Sequence, residues 1–254
     1  MRPFFLTLLA ASAVLISASS SVGTAAEKKI VVGLDDNFPP MGFSDDAGKL
    51  IGFDIDMARE AAKRMGIEAE FRPIDWGAKE AELKGGRVDL LWNGLTITEA
   101  RKQVILFSKP YMENHQIIVV KTGSPITNKA GLAKRIVGLQ DGSSAVEAVQ
   151  ADQIHDSIAE IKRYGDNVTA LMDLTIGRLD AVVVDEVVGR YYVSKKPDAY
   201  AILTEDFGTE EYGVGLRKDD VALLEKLQAA LDAMKKDGTS AAIAKQWFGK
   251  DIIK

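Results

Sequence analysis

Val88-Asp89-Leu90-Leu91-Trp92-Asn93-Gly94-Leu95-Thr96-Ile97-Thr98-Glu99-Ala100-Arg101 passes from an apolar strand through a polar turn into a helix. Thr98 is a favourable helix N-cap, so Arg101 is predicted in the first helical turn. A cation is unfavourable there because the helix N-terminus already carries partial positive charge. Backbone N–H groups, a threonine hydroxyl and the guanidinium together suit a carboxylate. The alternative is a surface arginine beside a helix start.

Strand-like and helix-like segments alternate outward from this stretch, which predicts an α/β fold. Buried strands are predicted over 30–34, 88–92, 136–139 and 179–184, and helices over 54–65, 76–84, 168–176, 221–235 and 240–248. The stretches 68–74 and 158–164 alternate between apolar and polar residues. Gly86-Arg87-Val88-Asp89-Leu90 is echoed by Gly177-Arg178-Leu179-Asp180-Ala181, which suggests two lobes with similar chain paths.

Each of the four buried strands ends in polar residues, where α/β sheets usually bind ligands. The residues that follow the four strands are Asp35, Asp36, Asn37 and the aromatic Phe38; Asn93, Gly94 and Thr96; Gln140, Asp141, Gly142, Ser143 and Ser144; and Asp185 and Glu186. The turn at Ser143 and Ser144 opens a helix and forms a second small-anion site, although it lacks the ending of a P-loop. Asp185 needs a partner for its charge, and a ligand ammonium would serve; the alternative is a helix N-cap.

Composition and the amino terminus point to an exported protein. Arg2, the apolar stretch 4–16 and the small residues ending at Ala26 indicate a secretory signal peptide over 1–26. The 254 residues carry a net charge of −5 and no cysteine. The acidity argues against nucleic-acid partners, and the missing cysteine excludes both disulfides and the usual lipid attachment. We expect a free periplasmic protein.

The polar strand ends together match an α-amino acid. Its carboxylate would meet Arg101, Thr96 and the N–H groups of Ser143 and Ser144. Its ammonium would meet Asp185 and the Gly94 carbonyl. Phe38 and Trp76 could sandwich the ligand side chain, although each aromatic residue taken alone is more often part of a core.

The same segments resemble the polar amino-acid family of ABC-transporter solute-binding proteins, including its lysine/arginine/ornithine-binding and glutamine-binding members. The resemblance rests on Gly52-Phe53-Asp54-Ile55-Asp56, Gly94-Leu95-Thr96-Ile97-Thr98, Gln140-Asp141-Gly142-Ser143-Ser144 and Gly213-Val214-Gly215-Leu216-Arg217-Lys218, with Arg101 and Asp185 in order. It implies a type II periplasmic-binding fold of two Rossmann-like α/β lobes joined by two strands. Lobe one would comprise 27–114 plus 213–254, and lobe two 115–212.

The resemblance also implies roles for particular residues. Arg101 is expected to bind the ligand carboxylate and Asp185 the ammonium, with Thr96 and Gly94 as further contacts. Asp35 is expected to read the far end of the ligand side chain between Phe38 and Trp76. A monomer is expected to take up a free L-amino acid, close, and deliver it to an inner-membrane ABC permease.

The side chain of the ligand is less closely specified, because Trp76, Asn93 and Gln140 depart from the residues common in the family. Asp35, Asp36 and Glu113 would place acids near the cleft and attract a basic side chain. Asp35, Asn93 and Gln140 could instead bind an amide, and a cystine-like ligand ranks third. An acidic ligand is disfavoured.

Two other functions are alternatives for such a chain. An exported cyclohexadienyl- or arogenate-dehydratase-like enzyme would share this fold, but no motif marks its general acid among Asp35, Glu113 and Glu186. A sensor module would need an output segment. The two histidines, His115 and His155, lack metal-ligand spacing, so we expect no metal and no cofactor.

Overall fold

The computed structural model describes residues 29–254; the predicted signal peptide lies outside them. The strands are β1 (Lys29–Leu34), β2 (Asn37–Phe38), β3 (Gly42–Ser44), β4 (Leu50–Ile51), β5 (Glu68–Pro73), β6 (Leu90–Leu91), β7 (Ile105–Phe107), β8 (Met112–Lys121), β9 (Ile136–Gln140), β10 (Glu160–Tyr164), β11 (Ala181–Asp185), β12 (Tyr200–Tyr212) and β13 (Gly215–Arg217). The α-helices are α1 (Phe53–Arg64), α2 (Lys79–Lys84), α3 (Glu99–Val104), α4 (Ser144–Ala151), α5 (Asn167–Thr175), α6 (Glu186–Lys195), α7 (Val221–Lys236) and α8 (Thr239–Phe248). Short 3-10 helices span Trp76–Ala78, Lys129–Leu132 and His155–Ser157.

Two five-stranded sheets organise the described residues, in the orders β5-β1-β6-β13-β7 and β10-β9-β11-β8-β12. In each sheet three strands are parallel, as the alternating pattern predicts, and the remaining pairs are antiparallel. We call the first sheet with its helices lobe one and the second sheet with its helices lobe two. The α/β fold with two lobes is confirmed, whereas the boundaries near residues 114 and 212 stay a prediction.

The apolar strand runs are continuous because both faces of each sheet are covered. In β11, Val182 and Val184 join one apolar cluster, whereas Ala181 and Val183 join another. The neighbouring β8 repeats this division over residues 117–120. Buried on both faces, these strands hold the residues at their ends in defined positions.

Two long antiparallel strands connect the lobes. β8 pairs with β12 from Met112 opposite Tyr212 to Lys121 opposite Tyr200, with two shifts of register between. Near the first of these ends, Tyr212 also bridges to Thr96 of lobe one. Within residues 29–254, no helix is long and apolar enough to cross a membrane.

The local predictions held for most elements, with differences at their ends. Thr98 caps α3, since its side chain accepts a hydrogen bond from the Arg101 N–H at 3.2 Å. The predicted helix over 76–84 begins with a 3-10 turn before α2. The predicted strand over 88–92 is shortened to Leu90–Leu91, although the N–H groups of Asp89 and Trp92 on either side still donate to carbonyl groups of β1.

Candidate functional site

The strand ends of the two lobes face each other across a closed cleft, and Arg101 lies at its centre. Arg101 is 6% exposed although it follows an exposed stretch of α3. It donates from one terminal nitrogen to Thr96 O at 2.8 Å and from the other to Gly142 O of lobe two at 2.9 Å. Burial lowers the pKa of Arg101, whereas Glu80, Glu147, Glu210 and Asp185 oppose that shift. The surface alternative is therefore wrong: Arg101 is a buried cation between the lobes.

The loop before α4 carries Ser143 and Ser144 to the same cleft. Ser143 is the N-cap residue of α4, but its hydroxyl and its N–H both turn back to Gln140 O, at 2.7 and 3.3 Å. Ser144 Oγ instead reaches Thr96 Oγ1 of lobe one at 3.1 Å. Ser144 thus crosses the cleft, whereas the predicted anion-binding N–H of Ser143 is engaged within its own turn.

A second polar cluster joins Asp35, Asn93 and Gln140, and their expected contact with the far end of a ligand side chain stays a prediction. Gln140 Nε2 donates to Asp35 Oδ2 at 2.7 Å across the cleft, and the Asp35 N–H donates to Asn93 Oδ1 at 3.1 Å. Asn167, which was not predicted from the sequence, orients the Gln140 amide by donating to Gln140 Oε1 at 3.0 Å. Burial raises the pKa of Asp35 to about 6, against hydrogen bonds from the Asn37 N–H and Gln140.

Asp185 ends β11 and is 4% exposed. It occupies the N-cap position of α6, but its side chain makes no capping hydrogen bond. Its Oδ1 instead accepts from Asn114 Nδ2 at 2.7 Å and from the Tyr212 hydroxyl at 2.6 Å. Burial and the nearby charge of Glu210 raise the pKa of Asp185, whereas Tyr212, Gln116 and Arg101 favour its charged form. A role as helix N-cap therefore does not account for the burial of the Asp185 carboxylate.

Glu210, on β12, is a cleft residue that was not predicted from the sequence. Its Oε2 accepts from Thr96 Oγ1 at 2.9 Å and lies 3.1 Å from Ser144 Oγ, so it contacts both lobes. Asn114 and Gln116 on β8 also donate to this oxygen, at 3.2 and 3.1 Å. One sequence pattern could have indicated the polar face of β8. Asn114 and Gln116 are spaced two apart just before an apolar run, which is typical of a strand with one polar face.

Gly94 and Thr96 form the lobe-one wall of the cleft. Gly94 has φ of 57°, and a Cβ there would lie 2.8 Å from Phe38 Cε1, so glycine is required twice over. Its N–H donates to Asp54 Oδ2 at 2.7 Å, which fixes the turn after β6. The predicted contact of the Gly94 carbonyl with a ligand stays a prediction.

The two predicted stacking residues are buried in different apolar clusters. Phe38 packs with the large cluster that includes Trp92, whereas Trp76 packs with Leu83 on the other face of the lobe-one sheet. A sandwich of a ligand between them therefore stays a prediction. The contacts that the two rings make with other residues are those of core residues, which was the alternative to a stacking role.

The structure differs from expectation at Glu113 and adds Lys79 to the cleft. Lys79 is 1% exposed and donates from Nζ to Gly142 O of lobe two at 2.6 Å. Glu113 was expected near the cleft, but its half-exposed side chain pairs with His115 and Lys254. Alternation along β8 explains this, because Asn114 and Gln116 occupy the cleft face.

The cleft thus holds buried charges of both signs, supplied by opposite lobes, beside a separate cluster of amides and a carboxylate. A cavity of about 440 Å³ opens at its mouth, beside Lys79, Arg101 and Ser143. Residues 29–254 contain no group of three or more metal-ligating side chains placed to hold an ion. The arrangement suits a small zwitterion with a polar side chain.

Comparisons with known proteins agree with this chemistry. Residues 30–250 match the family described as bacterial extracellular solute-binding proteins, family 3. The chain is 35% identical over 227 residues to the L-cystine-binding protein TcyJ of Escherichia coli, covering 89% of this chain and 84% of that protein.

Solved structures are similarly close. An ABC uptake transporter substrate-binding protein from Streptococcus pneumoniae with bound histidine superposes with a TM-score of 0.86 at 36% identity, over 89% of this chain and 94% of that one. An ancestral arginine-binding protein bound to arginine gives a TM-score of 0.84 at 41% identity, over 88% and 99%. Fold, cleft and sequence lead to one conclusion: this chain belongs to family 3 of the bacterial extracellular solute-binding proteins, the amino-acid-binding components of ABC uptake systems.

Proposed function

We propose that this protein is the periplasmic binding component of an ABC importer for polar L-amino acids, with basic or amide side chains preferred. The observation that carries the proposal is the pair of buried opposite charges, Arg101 from lobe one and Asp185 from lobe two. Buried charges need partners, and the two charged ends of an α-amino acid supply both at once. Closure around the ligand would present the closed form to an inner-membrane permease.

The residues around Asp35, at the end of the cleft expected to hold the ligand side chain, favour a basic or amide group. Asp35 and Gln140 are buried there and hydrogen-bond each other across the cleft. A guanidinium, ammonium or amide group could donate to the Asp35 carboxylate, and a cation would favour its charged form. The arginine-binding neighbour agrees with this preference, whereas the cystine- and histidine-binding relatives define the alternatives to be compared with it.

Ligand-linked stability tests the proposal. Thermal unfolding is measured with each of the twenty amino acids, ornithine and cystine in excess. A cognate ligand at about a thousand times its Kd stabilises the fold by about 4 kcal/mol, because it binds only the native state. We expect arginine, lysine, ornithine or glutamine to give the largest shift. If no amino acid shifts the transition, the protein has another function.

Arg101→Ala should abolish stabilisation by every amino acid, because each would lose its carboxylate partner. Arg59→Ala is the matched control, since Arg59 is an exposed arginine on α1. Asp35→Asn should instead weaken basic ligands about tenfold and amide ligands less, because only the basic ones lose a charged partner. Normal binding by Arg101→Ala, measured by calorimetry, would remove the carboxylate assignment.

A further inference from the structure

One aromatic ring of lobe one contacts an aromatic ring of lobe two. Phe43 lies on β3 and Tyr191 on α6, and their ring centroids are 5.8 Å apart with an angle of 56° between the ring planes. Both side chains are half-buried. The distance lies within the range that aromatic pairs favour. Neither residue is among the predicted ligand contacts, so this pair joins the two lobes directly.

Each of the two rings is held in place by its own lobe. Phe43 packs edge-on against Trp247 of α8, with ring centroids 6.1 Å apart, and the Trp247 indole N–H donates to Asp56 Oδ2 of α1 at 2.9 Å. Tyr191 packs edge-on against its neighbour Tyr192, with ring centroids 5.4 Å apart. Because both rings are already ordered by these contacts, bringing them together costs little further side-chain entropy.

Open space lies beside this contact between the lobes. A crevice of about 490 Å³ has walls from both lobes, with Trp247 and Lys250 on one side and Arg190 and Tyr191 on the other. The apolar packing between the lobes is therefore not continuous at this point. Few neighbouring side chains can take over the contact if one ring is removed, so the loss of a ring is expected to be felt in full.

Opening of the lobes must break the contact between the two rings. Phe43 and Tyr191 belong to different lobes, so a rotation of one lobe away from the other about β8 and β12 separates them. Separation returns apolar ring surface to water, which is unfavourable. The pair therefore favours the closed form whatever side chain the ligand carries.

We propose that Phe43 and Tyr191 form an aromatic latch, which stabilises the closed form and slows the release of every amino acid that the protein binds. The inference rests on the proposed function and adds two positioning residues that act on closure rather than on the ligand. The apparent affinity of a ligand falls with the population of the state that holds it. Loss of the latch should therefore weaken all ligands by one factor, whereas Asp35→Asn should weaken basic ligands more than amides.

A double-mutant cycle of Phe43→Leu and Tyr191→Leu tests the latch. Kd is measured by calorimetry and the dissociation rate by stopped flow, with L-arginine, L-glutamine, L-histidine and L-cystine as probes. Each single variant should weaken every probe that the wild type binds by about three- to tenfold, mainly through faster dissociation. The double variant should lose no more than either single variant, because both changes remove the same contact. Tyr191→Phe, which keeps the ring, should bind within about twofold of the wild type.

Phe71→Leu is the matched control, because Phe71 is also half-buried and its ring contacts Arg59 within lobe one. It should leave Kd unchanged. Losses that add up in the double variant would show that Phe43 acts through its own hairpin, for instance by displacing Phe38, and would overturn the latch. Wild-type Kd values in both single variants would overturn it as well. If the wild type binds no amino acid in the thermal screen, the proposed function fails, and the latch fails with it.

Discussion

A single buried carboxylate, Asp54, holds the turn that carries the lobe-one cleft residues. It lies in the first turn of α1 and is fully buried. Its Oδ2 accepts from the Gly94 N–H at 2.7 Å and from the Tyr111 hydroxyl at 3.0 Å. Burial raises the pKa of Asp54 to about 7, whereas these hydrogen bonds favour its charged form. The buried Asp54 carboxylate therefore costs stability near neutral pH, but it fixes the turn at Gly94.

This trade predicts a pH dependence of folding. The folded state holds the Asp54 proton more tightly than the unfolded chain, in which the pKa of this carboxyl group is near 3.8. Its contribution to stability is therefore complete below about pH 4 and is lost as the pH rises through about 7. Relative to Asp54→Asn, the wild type should lose on the order of a few kcal/mol of unfolding free energy over that range.

Urea unfolding of both proteins at several pH values between 4 and 7.5 measures this difference. Asp46→Asn is the control, because Asp46 is an exposed acid in the turn between β3 and β4. Parallel pH profiles for the wild type and Asp54→Asn would show that Asp54 keeps an ordinary pKa in the folded protein.

At the scale of elements, the short helix α3 depends on its cap. α3 has six residues, too few to be stable in isolation, and Thr98 accepts the Arg101 N–H at its start. Thr98→Ala should therefore lower the unfolding free energy by about 1 kcal/mol, whereas Thr98→Ser should retain most of it. Chemical denaturation of the three proteins measures both values; equal stability of all three would mean that packing alone holds α3.

Elements also differ in how well sequence patterns predicted them. Continuous apolar runs such as Val182–Val184 predicted β11 because its sheet is covered on both faces. β8 was missed although it is one of the longest strands, since its polar start, with Asn114 and Gln116, does not look like a buried strand. Those residues are polar because the strand borders the cleft, which only the pairing with β11 and β12 reveals.

At the scale of the whole molecule, the closed cleft depends on contacts that opening must break. Lys79 Nζ and an Arg101 terminal nitrogen both donate to Gly142 O, the former at 2.6 Å. Burial lowers the pKa of Lys79 to about 8, and the charge of Arg101 adds to this shift. Lys79 is thus a costly buried cation whose bond across the cleft exists only when the lobes are together.

Lys79→Met should shift the lobes toward the open form and weaken amino-acid binding by about tenfold, because the closed form loses one charged hydrogen bond. Small-angle scattering of the ligand-free protein and calorimetry measure the two effects. Lys84→Met, at the exposed end of the same helix, is the matched control. Identical behaviour of the two variants would show that Lys79 has no part in closure.

The buried strands, most of the helices and the polar strand ends were predicted from the sequence alone, because hydrophobic periodicity and capping act over a few neighbouring residues. The same patterns predicted the amino-acid class through Arg101 and Asp185. Only the tertiary structure decided which polar groups meet. Asp35 with Gln140, Lys79 with Gly142, and Glu210 with Thr96 and Ser144 are far apart in the chain and come together through sheet pairing and lobe closure. Such pairings follow from the packing of whole lobes, which no local pattern contains.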